Sequence, residues 1–375
     1  MKNILVINFG GIGDEILFLP TLISLKKAFS ESKITLCLEP RSKGIKDLTD
    51  TIDDLILINP KGKHKYFEML KLLLKARFGK FDTVISAGGN KLISILLFLT
   101  GIKKRYGYNT GKLSEKLLTK AVPLNKQQYA SLMYHDLIRD ITDIRTDIPE
   151  ITLEKGEKIP NSVLIHPGVS KLSVQKNMIK TITPEIWADV IKLLLDNGKH
   201  VTLTGGPDDK EVVDKILSII EPLNNPNFEN YYGKTKNLMD LAKLITKYEK
   251  FVCSDSAPLH IGVGTKTRTY AIFGSTDDKK LIPQADFVTA LKTNDDCPIK
   301  PCLWDHRQTT CENLSCLKFK AEDIASEILK KKLTKLNSKN AVFSWFSVVS
   351  RLKMGKDRKT GIFVICYYLQ ACSLL

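Results

Sequence analysis

Two short segments, about 240 positions apart, hold the residues best suited to chemistry. The first is Gly10-Gly11-Ile12-Gly13-Asp14-Glu15, which lies between an apolar run and a longer apolar stretch with helical spacing. It reads as a glycine-rich turn from a strand into a helix, where a ligand can approach the backbone and helix N-terminal amides face an anion. Asp14 is the reactive group there. At a helix N-terminus it either favours the dipole, by about 0.3–1 kcal/mol, or stands in the crevice beyond the strand ends where open α/β sheets bind ligands.

The second segment is Asp255-Ser256-Ala257-Pro258-Leu259-His260, directly after the strand-like run Lys250 to Ser254. Pro258 suits a first helical turn. The open amides, the Ser256 hydroxyl and an imidazole one turn further on would make a pocket for a diphosphate. The plainer alternative is an N-cap by Asp255 or Ser256, with His260 turned inward. Lys176 and Lys180 follow His166-Pro167-Gly168-Val169-Ser170, and Thr204-Gly205-Gly206-Pro207 precedes Asp208 and Asp209. A lysine there can neutralise phosphate as a compact charge. Ser170, Thr204 and Gly205, with Gly11 and Gly13, are the candidate phosphate or nucleotide loops.

Two other chemistries were weighed. A dinucleotide fingerprint counted from Gly11 reaches Gly13 and then Ile16 where a third glycine belongs, which leaves Glu39 as the dehydrogenase signal. Cys297, Cys302, Cys311 and Cys316, with His306 between them, could hold structural zinc, pair as disulfides or stay as thiols. They lack the usual C-x2-C spacing. No carboxylate pair is compellingly spaced for a metal.

These groups need a scaffold, and the pattern supplies one. Strands are expected at residues 2–8, 33–38, 55–58 and 81–86, with helices at 16–29 and at 66–77, the latter with a Lys-decorated outer face. A second series places strands at 162–166, 200–204, 250–254 and 268–273. Its helices are expected at 184–197, capped by Thr183 and stopped at Gly198, and at 238–247. Strand–helix alternation implies parallel sheets. The domains expected are 1–155 and 160–335, joined by a polar Pro-bearing linker, with 336–375 a basic and apolar tail of atypical character.

Length and composition agree: 375 residues suit two domains, and 43% apolar with 26% charged residues is globular. The net charge of +16 points to acidic partners. Nucleic acid is disfavoured, because neither an aromatic-rich basic strand nor a recognition helix is present. The opening lacks a small-residue cleavage site after its apolar run. The expectation is therefore a cytoplasmic protein with reduced thiols.

In order, these segments resemble glycosyltransferase family 9, the ADP-heptose:lipopolysaccharide heptosyltransferases and their relatives, over residues 1–330. The resemblance rests on the Gly13-Asp14 turn with Pro20, on His166-Pro167-Gly168 followed by Lys180, and on Gly233-Lys234-Thr235. Asp255-Ser256-Ala257-Pro258-x-His260 and Phe273-Gly274-Ser275-Thr276 complete it. It implies a GT-B fold, two Rossmann-like domains facing across a cleft, with the acceptor on the first domain and the nucleotide-sugar on the second. The family's catalytic aspartate falls on Asp14, its phosphate-contacting lysine on Lys180, and its diphosphate turn on Asp255, Ser256, Ala257, Leu259 and His260. Two departures stand out. Ala257 replaces a common glycine, and Ile182-Thr183 replaces an aromatic-proline pair, so the lysine role could slip to Lys176. The implied reaction is inverting and metal-independent, without a cofactor. Its donor would be an ADP-activated sugar such as ADP-heptose, and its acceptor a glycolipid at the inner face of the membrane. A nucleotide-sugar epimerase of the same fold and a non-catalytic sugar-nucleotide binder are the alternatives.

Overall fold

A computed structural model of the chain describes residues 1–220, 225–305, 309 and 311–330. The tail from 336 and His306 lie outside the described residues. The chain from Met1 to Leu329 is one compact unit containing two parallel sheets.

The first sheet is built from β1 (Asn3–Ile7), β2 (Lys33–Leu38), β3 (Asp54–Leu57), β4 (Thr83–Ser86), β5 (Lys104–Tyr108) and β6 (Lys120–Val122), in the order β3-β2-β1-β4-β5-β6. Its helices are α1 (Ile12–Ala28), α2 (Lys65–Phe78), α3 (Lys91–Leu99), α4 (Lys112–Leu117) and α5 (Ala130–His135). The second sheet comprises β7 (Ile159–His166), β8 (His200–Leu203), β9 (Phe228–Asn230), β10 (Tyr248–Ser254), β11 (Arg268–Ile272) and β12 (Val288–Leu291), ordered β12-β11-β10-β7-β8-β9. Around it lie α6 (Lys171–Gln175), α7 (Pro184–Asp196), α8 (Lys210–Ile220), α9 (Leu238–Thr246), α10 (Ala257–Gly264), α11 (Asp278–Leu281), α12 (Cys302–Asp305) and α13 (Ala321–Leu329). Both sheets reverse strand order beside a central strand, and such a switch point opens a crevice at the carboxyl ends of the strands.

Alternation along β1 sends Ile4 and Val6 to one core and Leu5 and Ile7 to another. The first core takes α1 and continues without a break into Leu241, Leu244, Leu259 and Ile261 of α9 and α10. The two halves therefore meet helix face to helix face. The second core, under α2 and α3, belongs to the first sheet alone. The linker is stitched down as well: the Ile151 amide donates to Gly264 O at 3.1 Å and that of Thr152 to Leu48 O at 3.0 Å.

Three local expectations need correction. α1 begins at Ile12, not Ile16, because Gly11 takes the N-cap position and the helix is buried on most sides, which blurs its apolar period. Thr183 precedes α7 but makes no side-chain cap bond. The outer face of α2 carries exposed Tyr66, Phe67, Leu70, Leu74 and Phe78 as well as lysines.

Candidate functional site

β1 ends at the carboxyl edge of its sheet, and Gly10-Gly11 turns the chain into α1. A Cβ on Gly10 would overlap that of Asp14, so this turn closes only on glycine. Asp14 is solvent-exposed, and its Oδ2 accepts the Gly11 amide at 2.8 Å. Its Oδ1 lies 3.5 Å from the hydroxyl of Tyr134, which comes from α5 and packs edge-to-face on Phe18. Burial, followed by the Asp14 charge, pushes the Tyr134 phenol well above its ordinary range, so it stays a donor. Tyr134 gave no sign in the sequence, since a six-residue helix without turn residues carries no motif.

The neighbour of Asp14 makes the decisive contact. A Cβ on Gly13 would sit 2.9 Å from His260 Cδ2, 3.3 Å from Nε2 and 3.8 Å from Ala257 Cα. The N-terminal turns of α1 and α10, far apart in the chain and expected to face each other across the cleft, are packed against each other. His260 is buried, and its Nδ1 has no partner among the described residues. Burial lowers its basicity, while the charges of Asp255 and Asp14 raise it; the balance is a ring below its ordinary value and neutral at pH 7.

Asp255 is buried and accepts from Lys180 Nζ at 3.1 Å and from the Thr276 hydroxyl at 2.7 Å. Burial pushes this carboxyl up, but the lysine charge and the hydroxyl outweigh it and hold Asp255 below the usual carboxylate range. Lys180 is fixed by its neighbours. Ser275 donates to Ile179 O at 2.7 Å. The Thr181 hydroxyl donates to Pro167 O at 2.8 Å and accepts from Ser254 at 2.7 Å and from Trp187 Nε1 at 3.1 Å. Lys176, by contrast, is exposed at the C-cap of α6. The lysine beside the turn is Lys180.

Other candidates are placed differently from expectation. Leu259 is wholly buried in the core and its amide donates to Ser256 O at 3.0 Å, so it offers a ligand neither side chain nor free amide. Ser256 occupies the N-cap of α10, but its hydroxyl lies 3.2 Å from Gly168 O and ties two strand-end turns together. Ala257 opens α10. Gly11 spends its amide on Asp14, and Gly13 fills the contact with His260, so neither is open to phosphate. Ser170 caps α6 by accepting the Ser173 amide at 3.3 Å. Thr204 is fully buried, and Gly205 accepts from the Gly233 amide at 3.2 Å. Glu39, the residue suited to a ribose, is held by Lys61 at 2.5 Å and Arg41 at 2.8 Å.

Sequence reasoning assigned no task to Asp209. It reaches from the start of α8 to His166 Nε2 at 3.4 Å and accepts the Gly206 amide at 2.8 Å. Its neighbour Asp208 accepts the Lys171 amide at 3.0 Å, so paired carboxylates bolt the 166–171 and 205–209 turns together. The four cysteines are free thiols. Cys302 and Cys316 are buried, and burial pushes the Cys316 thiol up to about 11. Among the described residues, no cluster of His, Cys, Asp or Glu is arranged to hold a metal ion.

The family model described as glycosyltransferase family 9 (heptosyltransferase) matches residues 69–309. The chain belongs to this family. It is similar to lipopolysaccharide heptosyltransferase 3 of Escherichia coli, at 26% identity over 71% of this chain and 81% of the relative. Lipooligosaccharide heptosyltransferase 2 of Campylobacter jejuni is 22% identical over 85% of this chain and 96% of its own. Among solved structures, E. coli ADP-heptose lps heptosyltransferase II superposes with a TM-score of 0.68 at 18% identity, covering 88% and 97% of the two chains. E. coli heptosyltransferase WaaC, solved with ADP-2-deoxy-2-fluoro heptose, gives 0.64 at 16% identity, covering 87% and 99%. The fold is GT-B, and this family 9 protein is a glycosyltransferase.

Proposed function

We propose that this glycosyltransferase moves a heptose, with inversion, from ADP-heptose to a lipopolysaccharide-type glycolipid in the cytoplasm, working at the inner membrane surface. The names of its relatives and of the solved neighbours suggest the donor and the acceptor class. The observation that carries the mechanism is the packing of Gly13 on His260, which sets the Asp14 carboxylate beside the turn that opens α10.

In this reading Asp14 takes the proton of the acceptor hydroxyl as it attacks the anomeric carbon, and the nucleoside diphosphate leaves from the opposite face. Exposure gives Asp14 access to the acceptor, while the Gly11 amide fixes its orientation. Negative charge grows on the departing diphosphate. Lys180 and the N-terminal end of α10 stabilise that charge from preset positions. Neutral His260 adds a polar ring without adding charge. No bound metal is required by this scheme.

The test is Asp14→Asn, assayed with ADP-heptose and a lipopolysaccharide-core acceptor. Turnover should fall by about two to four orders of magnitude, the range for a positioned base, with nucleotide binding unchanged. Transfer at near-parent rate would dismiss the role. A thermal-shift panel of ADP-, UDP-, GDP- and CMP-sugars tests the donor, since only a bound nucleotide raises the melting point by mass action.

A further inference from the structure

The outward face of α2 does not look like the surface of a soluble helix. Leu72 and Ala76 face inward and fill the core of the first sheet, yet Tyr66, Leu70, Leu74 and Phe78 recur every fourth residue on the opposite side, with Phe67 next to them. They are 80%, 50%, 47%, 74% and, for Phe67, 67% exposed. Side chains four apart share one ridge of a helix. This ridge is about 18 Å long, from the rise of 1.5 Å per residue. The adjoining helices extend it through exposed Leu92, Phe98 and Leu99 of α3 and Leu113 of α4. Contiguous apolar surface on this scale marks an interaction site.

The charge around the ridge identifies the occupant. Residues 61–78 hold six Lys or Arg against one Glu, and residues 91–117 repeat that ratio, whereas the whole chain holds 57 basic against 41 acidic residues. Lys63, Lys65, Lys75, Arg77, Lys91 and Lys112 are exposed beside the apolar side chains. An apolar stripe with basic borders is the signature of a helix lying in the plane of an anionic bilayer, aromatic and Leu side chains among the acyl chains and cations at the headgroups. The patch is also correctly sited for that task. α2 and α3 cover the sheet face opposite α1, and α1 is the helix that packs against the second half. The face is therefore turned away from the second sheet.

We propose that the α2–α3–α4 face is a docking surface for an anionic lipid bilayer, holding the first sheet against the membrane that carries the acceptor. The proposal deepens the glycolipid reading. Its test reads binding rather than turnover, so the two can fail separately.

The full-length protein is floated with vesicles of phosphatidylethanolamine and phosphatidylglycerol, and with vesicles of phosphatidylcholine alone. The parent should bind the anionic vesicles preferentially and release in high salt. The variant Phe67→Ser/Leu70→Ser/Leu74→Ser/Phe78→Ser should bind them about tenfold less or weaker still, while its melting point and its response to ADP match the parent. Lys71→Glu/Lys75→Glu, which leaves the apolar ridge intact, should lose the preference for anionic lipid. Asp14→Asn should float like the parent. Equal flotation of parent and serine variant would overturn the proposal. So would a parent that dimerises through this face, shown by a serine variant that becomes monomeric yet floats unchanged.

Discussion

Replacing Lys180 by Met tests the core of the site without any substrate. The substitution removes the ammonium 3.1 Å from Asp255 and leaves a carboxylate whose side chain is 4% exposed, with the Thr276 hydroxyl still at 2.7 Å. Breaking a buried ion pair from one side costs about 3–5 kcal/mol. Here the retained hydroxyl and the 21% exposure of Lys180 favour the low end, about 3 kcal/mol. At about 1.3 °C per kcal/mol for a chain of this size, the melting point at pH 7 should drop by about 4 °C. Adding Asp255→Asn removes the stranded charge, so the double variant should recover most of that loss. The pH dependence has a fixed sign. Asp255 is held below its ordinary value, so the pair stabilises the fold above the unfolded carboxylate pKa and loses that contribution as pH falls through the folded value. Parent and Lys180→Met should therefore converge in acid, below about pH 4. Calorimetry across that range decides the matter. A variant as stable as the parent at pH 7, or a gap that widens in acid, would refute the pairing.

Other substitutions read other parts of the site. Lys180→Ala should weaken ADP binding more than adenosine binding by titration calorimetry, because the role proposed for the lysine is on the diphosphate; equal losses would move the role elsewhere. Gly13→Ala places a methyl 2.9 Å from the buried His260 ring, and should cost about 1–3 kcal/mol in chemical denaturation as an overpacked contact; no cost would mean that the two helix ends do not pack. Glu15 is 1% exposed, and burial followed by the Asp14 charge raises it well above its ordinary value, against the opposing pull of the Gly10 amide and the Asn8 side chain. A carboxyl raised in the folded state contributes stability that is lost as pH climbs above the unfolded value. Glu15→Gln should thus gain on the parent in melting point as pH rises above the unfolded carboxylate value, and a constant difference would count against a raised Glu15.

What was legible in the sequence follows from where the information sits. Strand ends marked by Gly10-Gly11, Pro167-Gly168 and Ser254-Asp255 could be read locally, because apolar runs stop there and turn chemistry starts. In a parallel sheet all such ends share one edge, which accounts for Lys180 and His260 at the second sheet; that Asp14 of the first sheet joins them was implied by the family resemblance, not by order. The orientation of single side chains was not legible. Thr204 and Leu259 stand in the expected turns yet point into the core, a choice set by the sheet and helix packed against them. Tyr134 reaches Asp14 across 120 positions through tertiary packing, and Asp209 finds His166 in the same way. The outer ridge of α2 was masked by its lysines, since an apolar residue at every fourth position serves an inward or an outward face equally well.

Two helix N-termini meet at this site, and that has an electrostatic consequence. Each contributes roughly half a positive charge, and the small residues Gly13 and Ala257 allow the close approach. Asp14 balances one end, through its bond to the Gly11 amide. Asp255 lies at the other and is paired with Lys180. In the proposed mechanism a nucleoside diphosphate docks at this terminus, and to gain Lys180 it competes with Asp255 for the same ammonium. Thr276 continues to hold the carboxylate, which lowers but does not remove the cost of leaving Asp255 without its ammonium. In that mechanism Lys180 then faces the leaving group, while the Asp14 carboxylate on the facing helix stays fixed by its own amide. The proposed base and the proposed leaving-group stabiliser are thus held by separate halves of the fold, and the Gly13–His260 contact joins those halves beside them.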